Sequence, residues 1–444
     1  MSIVSIIAAV FMFGILIFIH EFGHFLIARK NGIRVIEFAI GMGPTIFSFN
    51  KKNTKYSIKL LPFGGFCRMQ GYEDEQLDDE EKGELKAEDS FESKSVWARI
   101  STVAAGPVFN FVLAFVLAIV VIGFVGYDPA TVLQVSENSA AWEAGIRQGD
   151  LITYYNGDSI VFGREIYLNE FINPIEKDNQ SVKVKYKRDG KEYTTKITPK
   201  LVKKYVIGFQ YTIGDTEAVI DKVTEGGALD KAGVKAGDVI TSINGNEITS
   251  SRQMNTYFNM NPIGEEDIKL TLNRNGEIIE ITVTPVFSTQ YYDTGLVYNT
   301  YREKTSPLKT IGYSFREVKY QITTVFKSLG LLFKGRLTAN DFTGPVGIAD
   351  VINDTYEASK SDGALYVFLN FANLTIMLSA NLGVMNLLPI PGLDGGRLLF
   401  LIIEAIRRKP IDKKKEGIIH VVGMLLILAF GVYIMFHDIM SLFK

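Results

Sequence analysis

The chain has 444 residues, of which 47% are hydrophobic and 22% charged, and its formal net charge is −2. That length allows several structural units, and the near-neutral balance argues against a polyanion-binding protein, so no nucleic-acid partner is expected. One cysteine, Cys67, excludes an internal disulfide framework.

Apolar residues crowd both ends of the chain and charged residues fill the middle. Ser2 to Ile27 form an apolar run long enough for a membrane-spanning helix, which needs about 20 residues. A secretory signal peptide is the competing reading. The run lacks a basic leading region and a clear small-residue cleavage site, and it carries the motif discussed below, so a retained span is expected. Basic residues follow it, from Arg29 and Lys30 to Lys55, and then an acidic run over 73–92 that reads as a solvated loop. A second apolar run lies near Val103–Val125, a third near Ala364–Ile390 and a fourth near Ile418–Phe436. Prolines and glycines break the third.

Basic residues in short loops set membrane orientation, and acidic ones contribute little. The loop after the first span and the Arg407–Lys415 segment before the last are the basic ones. Both are expected on the cytoplasmic side, with the long middle region outside.

That middle region contains a duplication. The stretch beginning at Glu137 repeats from Glu225, an offset of 88 residues, and the stretch at Val182 repeats from Ile268, an offset of 86. Each copy carries Ala-Gly followed by Gly-Asp, an apolar strand and Asn-Gly, and ends in period-two strands around Asp189-Gly190 or Asn275-Gly276, which favour tight hairpins. Two tandem β-rich modules follow from this. They resemble PDZ domains in the permuted form of bacterial envelope proteases, which implies a groove that takes an extended peptide. Spacer modules without a ligand are the alternative.

His20-Glu21-Phe22-Gly23-His24 is an H-E-x-x-H motif inside the first span. On a helix, positions i and i+4 share a face, so both imidazoles can meet one ion. Catalytic zinc has three protein ligands and an open position for water, and Glu21 beside the first histidine can take a proton from that water. Ionisable residues are costly in a membrane span, which argues that three in one turn are there for function.

A third ligand is expected from another span at the same depth. His420 and His437 are candidates by residue type, but each stands alone near an end of the last span. Asp394 fits better, in Asn386-Leu-Leu-Pro-Ile-Pro-Gly-Leu-Asp394-Gly-Gly, where the helix must open. Irregular backbone at membrane depth is tolerated where it is buried in protein or lines a wet cavity. Glu404 is the remaining carboxylate candidate.

HEFGH in the first span, GPVFN in the second, NLLPIPGLDGG in the third and PDZ-like repeats between them resemble the site-2 protease family of intramembrane zinc metalloproteases, over nearly the whole chain. The resemblance implies a polytopic α-helical membrane protein with four transmembrane helices and two PDZ-like modules inserted between spans 2 and 3. Its domain order is a first transmembrane helix over 1–28, a membrane-dipping β-hairpin region with the acidic loop over 29–102, a second helix over 103–126, modules over 127–200 and 201–287, an amphipathic helical region over 288–363, a third transmembrane region over 364–406, a basic loop over 407–417 and a fourth helix over 418–440. It implies Zn2+ held by His20, His24 and Asp394, with Glu21 as catalytic base. It also implies cleavage, within the bacterial cytoplasmic membrane, of single-span proteins such as anti-sigma factors or of remnant signal peptides, in contact with membrane lipid. The hairpin, with Gly43 and Gly65, is expected to pair with substrate, and Asn386 and Asn110 are candidates for binding its backbone. The alternatives are a membrane zinc protease of another type and a non-enzymatic scaffold displaying two peptide-binding modules.

Overall fold

The computed structural model describes residues 2–72, 86–337 and 344–441. Most of the expected acidic loop, residues 73–85, and residues 338–343 lie outside the described residues. The chain divides into two compact units, residues 1–129 with 300–444, and residues 130–299.

The first unit is helical. Among the described residues, four of its helices are long and apolar enough to cross a membrane: α1 (Ile3–Lys30), α2 (Val96–Val125), α5 (Ala364–Leu387) and α7 (Lys413–Ser441), the last over 414–438. Between α2 and α5 come α3 (Pro307–Phe333) and α4 (Pro345–Ser359), and α6 (Asp394–Arg407) follows the proline-rich break. Local sequence explains the helix starts. The Ser2 hydroxyl accepts the Ser5 N–H, and Ser95 accepts that of Ala98, each satisfying a backbone donor left free at a helix start.

Glycines let the helices around α2 approach closely. A Cβ at Gly23 would lie 2.5 Å from the Ala105 carbonyl oxygen, and one at Gly383 2.8 Å from the Phe111 ring. Residues of α1 and α5 are thus brought against opposite sides of α2, and Arg99 of α2 forms an ion pair with Glu404 of α6.

Between α1 and α2 lies an antiparallel hairpin, β1 (Val35–Lys51) and β2 (Thr54–Met69). Its two-residue turn, Lys52-Asn53, has positive φ at both positions, the conformation that matches the twist of two paired strands. Irregular register from Val35 to Phe47 bends the ribbon.

The second unit contains both modules. The first has the four-stranded sheet β5-β4-β6-β7, from β4 (Leu151–Tyr155), β5 (Asp158–Ser159), β6 (Val182–Arg188) and β7 (Lys191–Ile197). The second repeats it as β12-β11-β13-β14, from β11 (Val239–Ile243), β12 (Asn246–Glu247), β13 (Ile268–Arg274) and β14 (Glu277–Val283). Each has its own apolar core and one ten-residue helix, Gly163–Ile172 or Ser251–Met260.

The modules are nested rather than consecutive. In the second, β9 (Phe209–Gln210) pairs with β10 (Lys222–Val223). The matching pair in the first is β16 (Leu296–Tyr298) with β3 (Val132–Val135), so a strand of the first module comes from beyond the second. The backbone agrees: Leu229 N–H donates to the Ile207 carbonyl as Ala141 N–H does to that of Thr294. Tyr298 belongs to the core of the first module. β8 (Lys200–Val206) leads into the second module and β15 (Val286–Asp293) returns from it, paired antiparallel. The limits of 127–200, 201–287 and 288–363 are therefore corrected at one point, since residues 294–299 complete the first module. The shared strand is only a few residues long, too short for its repetition to stand out in the sequence.

Candidate metal centre

The site is built where α1, α2 and α6 converge. His20 and His24 are buried on one face of α1, with Nε2 atoms 3.2 Å apart. Asp394, the first residue of α6, brings Oδ2 to 3.1 Å from His20 Nε2 and 3.3 Å from His24 Nε2. These three side chains are the one group of metal-capable donors found among the described residues. Zinc bonds to nitrogen and carboxylate oxygen are about 2.0–2.1 Å, so tetrahedral donors stand about 3.3 Å apart. The observed triangle fits that spacing.

Two further observations support a cation here. Asp394 Oδ2 is buried without a well-formed hydrogen bond, a costly condition for a carboxylate oxygen unless a cation completes its surroundings. Gly106 of α2 faces the imidazoles, and a Cβ there would lie 2.3 Å from His24 Nε2 and 2.8 Å from His20 Nε2. Any larger residue would fill the space where the donors converge.

Helix α2 also supplies the outer partners. His24 Nδ1 is 2.9 Å from the Thr102 carbonyl oxygen, and His20 Nδ1 is 3.1 Å from the side-chain amide of Asn110. Thr102, Gly106 and Asn110 follow one another at i+4 spacing, so they form a stripe on one face of α2. That spacing was visible in the sequence, but not which helix it would face.

Glu21 points to the hairpin, toward the Cys67 backbone. Gly65 is its neighbour on β2: a Cβ there would approach the Glu21 side chain at 3.7 Å and the Ala39 carbonyl oxygen at 2.9 Å. An apolar cavity lies between α1 and the hairpin, lined by Phe18, Phe22, Phe25, Phe38, Phe47 and Tyr56 among others.

The other candidates fall elsewhere. Gly43 lies in the hairpin beside the Leu61 side chain. Asn386, half-buried in the last turn of α5, makes no side-chain hydrogen bond among the described residues. Asn110 is fully buried, with its amide on His20. Glu404 is engaged by Arg99, and His420 Nδ1 accepts the Gly392 N–H at 3.0 Å, so both have partners away from the donor triangle. His437 is outside the donor group.

The family model described as Peptidase family M50 matches residues 8–430. The chain belongs to peptidase family M50. Among curated relatives, the zinc metalloprotease RasP of Shouchella clausii is 31% identical, covering 99% of this chain and 100% of its own. The zinc metalloprotease RasP of Geobacillus kaustophilus is 32% identical over 99% and 98%. The regulator of sigma-W protease RasP of Bacillus subtilis is 30% identical over the full length of both. As an M50 peptidase of the site-2 protease type, the chain is an enzyme, and the scaffold alternative falls.

Proposed function

We propose that this M50 peptidase holds zinc with His20, His24 and Asp394 and cleaves single-span membrane proteins inside the bilayer, with Glu21 as the base. The observation that carries this reading is the donor triangle of 3.1–3.3 Å edges, drawn from a helix long and apolar enough to span a membrane and from the helix after the third such span. When bound, zinc supplies a Lewis acid that lowers the pKa of water towards about 7 and polarises a carbonyl. Glu21 removes the proton of the attacking water and passes it to the leaving amine. A peptide bond within a helix is shielded, so the substrate must be extended before attack. Pairing with the hairpin near Gly65, next to Glu21, provides that extension, and the free amide of Asn386 holds the substrate backbone.

The substrate class follows from the resemblance and from the relative named for regulation of sigma-W: an anti-sigma factor, with remnant signal peptides as a second group. The basic loops support an orientation in which the PDZ-like modules lie outside a bacterial cytoplasmic membrane, where they admit or capture the shortened outer part of a substrate. The test compares membrane proteomes of cells expressing the wild type and Glu21→Gln. Uncut single-span proteins should accumulate in the variant. Equal membrane proteomes would overturn the reading.

A further inference from the structure

The two histidines differ in what their outer nitrogens meet, and the difference bears on metal binding. To ligate through Nε2, an imidazole must leave that nitrogen unprotonated and carry its proton on Nδ1. For His24 the choice is made by the backbone. Its Nδ1 faces the Thr102 carbonyl oxygen at 2.9 Å, which only accepts, so Nδ1 carries the proton and Nε2 is free.

His20 has no such fixed partner. Its Nδ1 faces the Asn110 side chain, an amide that donates from one end and accepts at the other. With the NH2 end toward His20, Asn110 donates to Nδ1. The imidazole proton then sits on Nε2, where the unprotonated His24 Nε2 accepts it at 3.2 Å. That arrangement leaves both Asp394 Oδ2 and Asn110 Oδ1 buried without a well-formed hydrogen bond. With the amide turned by 180°, Oδ1 accepts the proton of Nδ1 and Nε2 is released as a ligand. The Asn110 backbone is held in place during the turn, since its carbonyl accepts the Ser379 hydroxyl at 2.7 Å.

We infer that Asn110 is a positioning residue whose amide turns with metal binding and selects the tautomer in which His20 can bind. The change is one of tautomer: Nε2 loses one proton and Nδ1 gains one. This rests on His20 being a ligand, and it replaces the substrate-binding role expected of Asn110, whose fully buried side chain is committed to His20. An amide suits the task because it serves both tautomers, whereas the Thr102 carbonyl serves one.

The test uses the full chain in detergent, zinc as the probe, and two near-isosteric variants. Asn110→Leu cannot accept the Nδ1 proton and should bind zinc 10- to 100-fold more weakly in competition with a chelator, the usual size of an outer-partner effect. Asn110→Asp retains an acceptor and should bind at least as tightly as the wild type. In histidine-labelled protein, nitrogen NMR should show His20 protonated at Nε2 without metal and at Nδ1 with zinc. Wild-type affinity in Asn110→Leu, or an Asn110→Asp variant as weak as Asn110→Leu, would overturn the inference. A wild type that binds no zinc would instead defeat the metal-site reading. Equal melting of the metal-free variants excludes a packing defect as the cause.

Discussion

Asp394 in the first unit and the buried Asp150 and Asp238 in the second are treated in opposite ways. Asp150 and Asp238, at equivalent places in the two modules, are each gripped by an arginine. Arg188 Nε and Nη2 reach the two oxygens of Asp150 at 2.7 Å, and Arg274 does the same for Asp238. A backbone N–H adds a third bond in each case, from Arg147 or Lys235. Asp394 has instead two imidazole nitrogens, which give or take a proton according to tautomer. A carboxylate saturated by a planar fork of donors has a settled structural role. One aimed at nitrogens that can become acceptors is arranged for a cation.

This contrast can be broken by experiment, and the largest effect is expected at Asp394. Asp394→Ala removes a metal ligand and should lower cleavage of a purified single-span substrate at least about 10³-fold, equivalent to about 4 kcal/mol of transition-state stabilisation. Retained cleavage would remove Asp394 from the site. Gly106→Ala comes next, because its methyl group would overlap the imidazoles. Overpacking costs about 1–3 kcal/mol, so zinc affinity should fall roughly 5- to 150-fold, read by chelator competition.

Arg274→Ala should act on the second module alone. Loss of a charge-assisted bond of this kind costs about 2 kcal/mol, seen as faster hydrogen exchange over 207–283, with zinc content unchanged. A drop in zinc content would show that the two kinds of carboxylate are not separate. The same pair sets an acid limit. The Arg274 guanidinium holds the Asp238 carboxyl below its usual range, so its stabilisation is complete above the unfolded value of about 3.9 and is lost as pH falls through the lower folded value. Exchange measured against pH should show protection of 207–283 failing at higher pH in Arg274→Ala.

The smallest effect tests the closure of the first module. Leu296 pairs with Val135, 161 residues away, whereas Phe209 pairs with Val223, 14 residues away. For flexible connections of those lengths the longer closure costs about 2 kcal/mol more. The first module has an additional fastening at this point: Glu170 accepts the hydroxyls of Tyr155 at 2.7 Å and Tyr298 at 3.2 Å. At the places of Glu170 and Tyr155 the second module has Phe258 and Ile243. Tyr298→Phe removes one of these bonds and should cost about 1 kcal/mol, seen as faster exchange at 296–298. Unchanged exchange there would show that packing alone holds the strand.

Much of this organisation was legible in one dimension. The apolar runs give the four candidate spans because a helix must be long and apolar to cross a bilayer. The 88-residue offset gives two copies of one module because similar residues in a similar order form similar strands. Nesting was harder to see. Its signal is one short pair of segments, Ile207-Gly208-Phe209 and Thr294-Gly295-Leu296, in which Gly208 and Gly295 both have positive φ. Three residues are too few for their repetition to stand out.

The sequence by itself determined the pairing of His20 with His24 and the position of Glu21 between them, because helix geometry over five residues is local. The helix break around Asp394 already favoured it over Glu404, His420 and His437, but only the tertiary structure brought its carboxylate within 3.1–3.3 Å of both imidazoles. It also turned Asn110 toward His20 and put Gly106 where any side chain would obstruct the donors. Those outcomes depend on which faces of α1, α2 and α6 meet, and side-chain distances across helices are not encoded in spacing along any one of them.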